Sequence, residues 1–310
     1  MLLAGCGEAS VSALMPAGEA AADIAWITWA MVIGTGFFTV LMTALGLHAV
    51  YRRADTPIRV SSRSVLIWGG LALPLSVTLL LLAYGIPTGH SMLAIGDADI
   101  EIRVTGHQWW WQIEHVDAEG QPLYTANELH LPVGRSADIH ITSADVIHAF
   151  WVPVLGGKLD AIPGSVNTLR LKPTRVGVYR GQCAEFCGAQ HAHMAFEVHV
   201  HEAEDFAAFM ASLARQDRTD LGTPRQRNTF DLHCAQCHST SPREDRQGPN
   251  LARLSERSWL GAGTVMNEPD QLRRWIALHQ ALKPGNRMPD HADLDAEVVE
   301  ALARYLEATP

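Results

Sequence analysis

Hydrophobic and polar positions divide this chain into three regimes. The first shows no alternation. Residues 24–47 (IAWITWAMVIGTGFFTVLMTALGL) and 65–86 (VLIWGGLALPLSVTLLLLAYGI) carry no charge at all. A helix needs about 20 apolar residues to cross a bilayer core, so both runs are long enough. They predict a two-helix transmembrane hairpin over 24–87, behind an N-terminal outer segment, 1–23. Pro74 fits a membrane helix if the freed carbonyl finds another donor. The second regime alternates with period two. IEIRV, ELHLPVG, SADIHITSADV, NTLRLKPT, VGVYRGQC and MAFEVHVH are separated by Gly, Pro and Asp breaks. That pattern predicts an all-β sandwich or barrel from about 91 to 201, within a domain spanning 88–210. AEDFAAFMASLA, 203–214, reads as a helix closing it. The third regime returns to helical period: RQRNTFDLHC and DAEVVEALARYLEA flank a long loop. It predicts a small all-α domain over 224–310, beyond a polar linker at 211–223.

Charge orients the hairpin. The connection YRRADTPIRVSSR holds Arg52, Arg53, Arg59 and Arg63 against Asp55. Positive loops stay in the cytoplasm, so both termini lie on the periplasmic, outer side of a bacterial plasma membrane. Residues 88–210 hold fifteen acids against seven bases, nearly all of the excess negative charge. This is either a solubility device or a docking face for a basic partner, and its sign argues against nucleic acid. Cys6 in LLAGC is lipobox-like, which would make the chain a lipoprotein. Only five residues precede it, however, short of a signal peptide's apolar region. Either the start lies upstream or the match is chance.

CAQCH, 234–238, is a C-x-x-C-H motif. Thiols at this spacing add to the vinyl groups of haem, and the adjoining histidine sits under the iron. Zinc would need two further ligands, and a redox dithiol has no use for the histidine. Cys234, Cys237 and His238 are therefore expected to hold haem c. The opposite axial ligand is expected from Met288 in KPGNRMPD, with Met266, His279 and His291 as rivals. The segment resembles class I cytochrome c, whose pattern includes Phe230, Gly248-Pro-Asn-Leu251 and a methionine followed by proline. That resemblance supports Met288.

GQCAEFCGAQHAHM, 181–194, joins Cys183, Cys187, His191 and Met194 in one loop. Thiolate, imidazole and thioether together select copper over hard cations. Two cysteines suit two coppers bridged by two sulfurs. A second histidine is then needed, and His148 in VIHAFWVP is well placed. Met194 and a backbone carbonyl between the cysteines would be weak axial donors. A disulfide or a Cys₂His₂ zinc site would leave the methionine unexplained.

With VIHAFWVP, DAIPG and GHQWWW, this loop resembles subunit II of the haem-copper cytochrome c oxidases over 24–201. With the fused haem domain it resembles the caa3-type arrangement. The resemblance implies a cupredoxin-like β domain and a dinuclear CuA centre on His148, Cys183, Cys187, His191, Met194 and the Glu185 carbonyl. It also implies that the Glu185 side chain reaches magnesium at the junction with subunit I, and that electrons enter at Trp109. Interface packing or a membrane belt is the plainer role for Trp109–Trp111. The expected activity is electron entry into a proton-pumping oxidoreductase complex, from a periplasmic cytochrome c through haem c and CuA. The O₂-reducing site would lie in subunit I, with subunit III a further partner, because this chain lacks the histidine-bearing helices. The alternatives are a CuA-bearing nitric oxide reductase subunit or a membrane-tethered electron carrier. There are departures from the family pattern: Val65 stands where a channel-mouth glutamate is usual, Ser165 follows DAIPG in place of arginine, and His193 is extra. His107, His130, His140, His199 and His201 are expected to be strand or surface residues.

Overall fold

The structure, a computed structural model, describes residues 11–52, 61–91, 96–215 and 221–309. Cys6 and most of the arginine-rich connection lie outside the described residues. Two apolar helices open the fold, Glu19–Tyr51 and Ser62–His90, each extending past its charge-free run. Among the described residues, nothing buries their most apolar stretches. Such surfaces require a hydrocarbon solvent or partner helices. Within the second helix, Val65–Ala72 forms widened turns, and the Leu73 N–H donates to the Trp68 carbonyl. Pro74 follows at once. It has no N–H and its ring crowds the preceding turn, which the widened register relieves.

Ten strands form the β domain: β1 Ile100–His107, β2 Trp110–Val116, β3 Pro122–Ala126, β4 Glu128–Pro132, β5 Ala137–Ser143, β6 His148–Trp151, β7 Lys158–Ala161, β8 Asn167–Leu171, β9 Gly177–Cys183 and β10 Ala195–His201. They make two five-stranded sheets, ordered β3-β2-β1-β5-β8 and β4-β10-β9-β6-β7. Alternation puts Ile102, Val104, Ile139 and Ile141 from one sheet against Leu129, Leu131, Val198 and Val200 from the other. Trp111 and Phe150, both fully buried, meet edge to face at 5.5 Å. The chain entering the first helix is stitched to this sandwich. Ala17 N–H donates to the Val154 carbonyl at 2.7 Å, Thr174 N–H donates to the Ala17 carbonyl at 2.7 Å, and Glu19 pairs with Lys172.

The C-terminal domain is helical. Pro224–His233 starts on a Thr223/Gln226 capping box. Pro269–Leu282 and Ala296–Glu307 follow. Phe230, Leu272, Ile276, Leu302 and Leu306 form its core.

This domain docks on the sandwich through charge. Arg243 meets Asp117 at 2.9 Å, Arg287 meets Asp145 at 3.3 Å, and Arg257 approaches Glu128 at 3.9 Å. Part of the β domain's acidic excess therefore faces the chain's own arginines. Lys283, 3% exposed, closes the seam. Its ammonium donates to the carbonyls of Trp109 (2.9 Å) and His193 (2.7 Å) on one side and Gly261 (2.6 Å) on the other. Burial pushes its pKa down to about 7, while the three acceptors hold its three protons.

Lys283→Met leaves three buried carbonyls without this donor, which costs on the order of 2–4 kcal/mol. Calorimetry should show the helical domain melting earlier and separately from the sandwich, whereas an unchanged transition would deny Lys283 this role.

Candidate metal centre and haem pocket

β6 and β9 pair with Phe150 opposite Cys183, so His148 and Cys183 reach the same end of the second sheet. The loop from Ala184 to Met194 folds back over that end before β10. Two buried sulfurs lie there unbonded, Cys183 Sγ and Cys187 Sγ, 3.7 Å apart. His148 Nδ1 is 3.9 Å from Cys183 Sγ, and His191 Nδ1 is 3.6 Å from Cys187 Sγ. Met194 Sδ lies 3.7 Å from Cys187 Sγ, and the Glu185 carbonyl 3.2 Å from Cys183 Sγ. Each of the other four donors expected from the sequence thus lies within 3.9 Å of one of the two sulfurs. Soft sulfur and imidazole dominate, with no carboxylate cage, and the set fits copper.

The electrostatics suit a metal. Cys187's hydrogen bond drives Cys183 well below the usual thiol range, and the same shared proton raises Cys187. Burial works to lower His148, but bonds to Cys183 and Asp145 outweigh it and raise it. Asp145 is the residue sequence reasoning missed. Its Oδ1 accepts from His148 Nε2 at 2.9 Å, and its Oδ2 accepts the Gln108 N–H at 2.8 Å. A carboxylate on the distal nitrogen fixes the ring and leaves Nδ1 facing the sulfurs. The signal was a carboxylate three positions before the histidine. Gly106 makes room for this ring, because a Cβ there would meet His148 Cδ2 at 2.8 Å.

Other predicted residues lie around this point. The Glu185 side chain is exposed and accepts the Phe186 N–H. His193 is exposed and bonds Gln190. Trp109 is 8% exposed. Its indole N–H donates to the Cys187 carbonyl at 3.0 Å, beside Gln108 Nε2 at 2.8 Å. Trp111 is core, and Trp110 stacks on His107 at 4.4 Å. Among the strand histidines, His130 lies on β4 and is 6% exposed.

A 560 Å³ cavity separates the two domains. Cys234, Cys237, His238 and Met288 line it from the helical side, and His107 and Trp109 from the sandwich. Burial raises the Cys234 thiol to about 12. Burial lowers His238 as well, keeping its imidazole neutral. Its Nδ1 donates to the Pro249 carbonyl at 2.8 Å, which leaves Nε2 for a ligand. Asn286 and Gln280 hold the Met288 backbone at 3.0 and 2.8 Å. Of the rivals, Met266 is 56% exposed and off the cavity. His279 has both ring nitrogens engaged, by the Pro289 carbonyl and Asn286. His291 does line the cavity.

The family model for the periplasmic domain of cytochrome c oxidase subunit II matches residues 117–201, and the cytochrome c model matches 227–310. Cytochrome c oxidase subunit 2 of Alkalihalophilus pseudofirmus is 32% identical, over 99% of this chain and 94% of its own length. The Bacillus sp. PS3 protein of the same name is 27% identical over 99% and 93%. The periplasmic domain of subunit II of the cytochrome oxidase of Bradyrhizobium japonicum is 33% identical, covering 38% of this chain and 95% of that one, with a TM-score of 0.36. The chain therefore belongs to the cytochrome c oxidase subunit 2 family, as the electron-entry subunit of a cytochrome c oxidase, with a cytochrome c domain fused behind its periplasmic domain.

Proposed function

We propose that His148, Cys183, Cys187, His191, Met194 and the Glu185 carbonyl hold a dinuclear copper, CuA. Cys234 and Cys237 would attach haem c covalently, and His238 and Met288 would be its protein ligands. When bound, the two centres supply one-electron redox chemistry. The observation that carries this reading is Trp109. Its ring lines the cavity while its indole N–H holds the carbonyl of Cys187. One residue thus touches both sites.

The protein's own groups set up the transfer. Asp145 and the Pro249 carbonyl fix the tautomers of His148 and His238. Lys283 and three arginine–carboxylate pairs hold the domains at fixed separation. The helical domain covers Trp109, so a periplasmic cytochrome c docks on that domain and does not reach Trp109. The Glu185 loop, with Phe186 75% exposed beside it, faces subunit I and supplies a magnesium ligand there. Subunit III is a further neighbour in the membrane.

The domains run 24–87, 88–210 and 224–310, with 211–223 between the last two. Both chain ends lie outside a bacterial plasma membrane. The pairing of Ala17 with Val154 and Thr174 supports this, because it ties the start of the first helix to the outer domain.

Cys187→Ser should abolish the two-copper centre, with copper per chain falling and the spectrum of a shared-valence pair lost. Met194→Leu should retain copper and shift its potential and spectrum. Gly248→Ala drives a Cβ to within 2.8 Å of His238 Cε1 and 2.9 Å of the Cys237 carbonyl. Haem per chain should drop while copper stays, as read by haem and metal assays. The complex as a whole is tested by supplying reduced cytochrome c with O₂ or with NO. Rapid O₂ consumption is expected, and turnover on NO alone would overturn the reading.

A further inference from the structure

A second cluster of metal-binding side chains lies on the outer face of the second sheet. β4 and β10 pair in parallel, with Glu128 opposite Glu197 and His130 opposite His199. Leu129, Leu131, Val198 and Val200 alternate into the core. Glu128, His130, Glu197, His199 and His201 therefore share the other face. A sheet face of that composition ordinarily meets water. Here the helix Ala203–Ala214 covers it, stacking Phe209 on His130 at 3.7 Å, and Arg257 closes it from the helical domain.

Under this cover the polar atoms lack partners. Ligand atoms of Glu128, His130 and His199 lie within 4.8 Å of one another. Glu197 Oε2 is 3.5 Å from His199 Nε2. His130 Nε2, His199 Nε2 and Glu197 Oε2 are all buried with no hydrogen-bond partner. Leaving such groups buried and unpaired is costly. His130 is 6% exposed. Its other nitrogen, Nδ1, lies 2.9 Å from His201 Nε2. With the proton on Nδ1, donated to His201, the Nε2 lone pair of His130 is presented to the cluster. This is how a metal-bound imidazole is oriented by an outer partner.

The charges agree. Two carboxylates, Glu128 and Glu197, face one guanidinium in direct reach, Arg257, whose Nε stands 3.9 Å from Glu128 Oε2. Arg257 spends one terminal nitrogen on the Asn250 and Ala252 carbonyls. The two carboxylates place oxygen donors beside the imidazoles.

We propose that Glu128, His130, Glu197 and His199 form a binding site for a divalent cation of borderline softness, zinc in class, separate from the copper and haem centres. Two imidazoles and carboxylate oxygen form a set typical of zinc. Because Arg257 comes from the helical domain and the ligands from the sandwich, the filled site lies at the seam. The inference does not depend on the copper or haem assignment.

The test uses the intact oxidase complex, equilibrated with zinc chloride and washed, with zinc, copper and haem counted per chain. The double variant H130Q/H199Q should lose one zinc per chain relative to the parent, with copper and haem unchanged. Equal zinc in both would overturn the proposal. Should the variant fail to assemble, zinc-edge anomalous diffraction from the parent complex decides. A peak between β4 and β10 supports the site, and its absence there refutes it.

Discussion

Trp109 is held at both ends of its own residue, and the rest of the molecule is arranged around that fact. Its indole N–H is fixed to the Cys187 carbonyl, and its main-chain carbonyl to the Lys283 ammonium. The first bond ties it to the sulfur cluster and the second to the helical domain. A buried ammonium is costly unless its protons are accepted, and three carbonyls from two domains accept them here. The domain docking and the geometry of the sulfur loop are therefore set together. Gly188, beside Cys187, is part of the same fit: a Cβ there would come within 3.1 Å of the Trp109 ring.

Much of this was legible in the sequence because it was local. The hairpin followed from unbroken apolarity, and the sandwich from period-two alternation between turn residues. The sulfur loop carries four donors within twelve residues, and the Cys-x-x-Cys-His run is self-contained. His148 came from a different strand, yet its setting before a Pro-terminated turn marked it. The two apolar helices and the β-sandwich with its helical partner match the architecture read from these patterns.

What was not legible depends on contacts between distant segments. Asp145 is an ordinary loop carboxylate until His148 turns toward it. Lys283 reads as a solvent-facing lysine near a helix end, and only docking buries it. The alternating histidines of β4 and β10 look like the wet face of a strand, because alternation reports one buried face and says nothing about a cover on the other. The acidic excess of 88–210 left two readings open, a solubility device or a face for a basic partner. Asp117, Asp145 and Glu128 show that part of that partner is the chain's own C-terminal domain. Fusion turns an encounter that would depend on concentration into an intramolecular one.

On the proposed route, the fused domain stands between the outside donor and the sulfur cluster. Stopped-flow reduction of the oxidised complex by cytochrome c, with haem and copper absorbance followed separately, tests it most directly. Haem reduction should scale with donor concentration, and copper reduction should then follow at a first-order rate independent of donor. Copper reduced in parallel with the haem, at a rate proportional to donor, would contradict it.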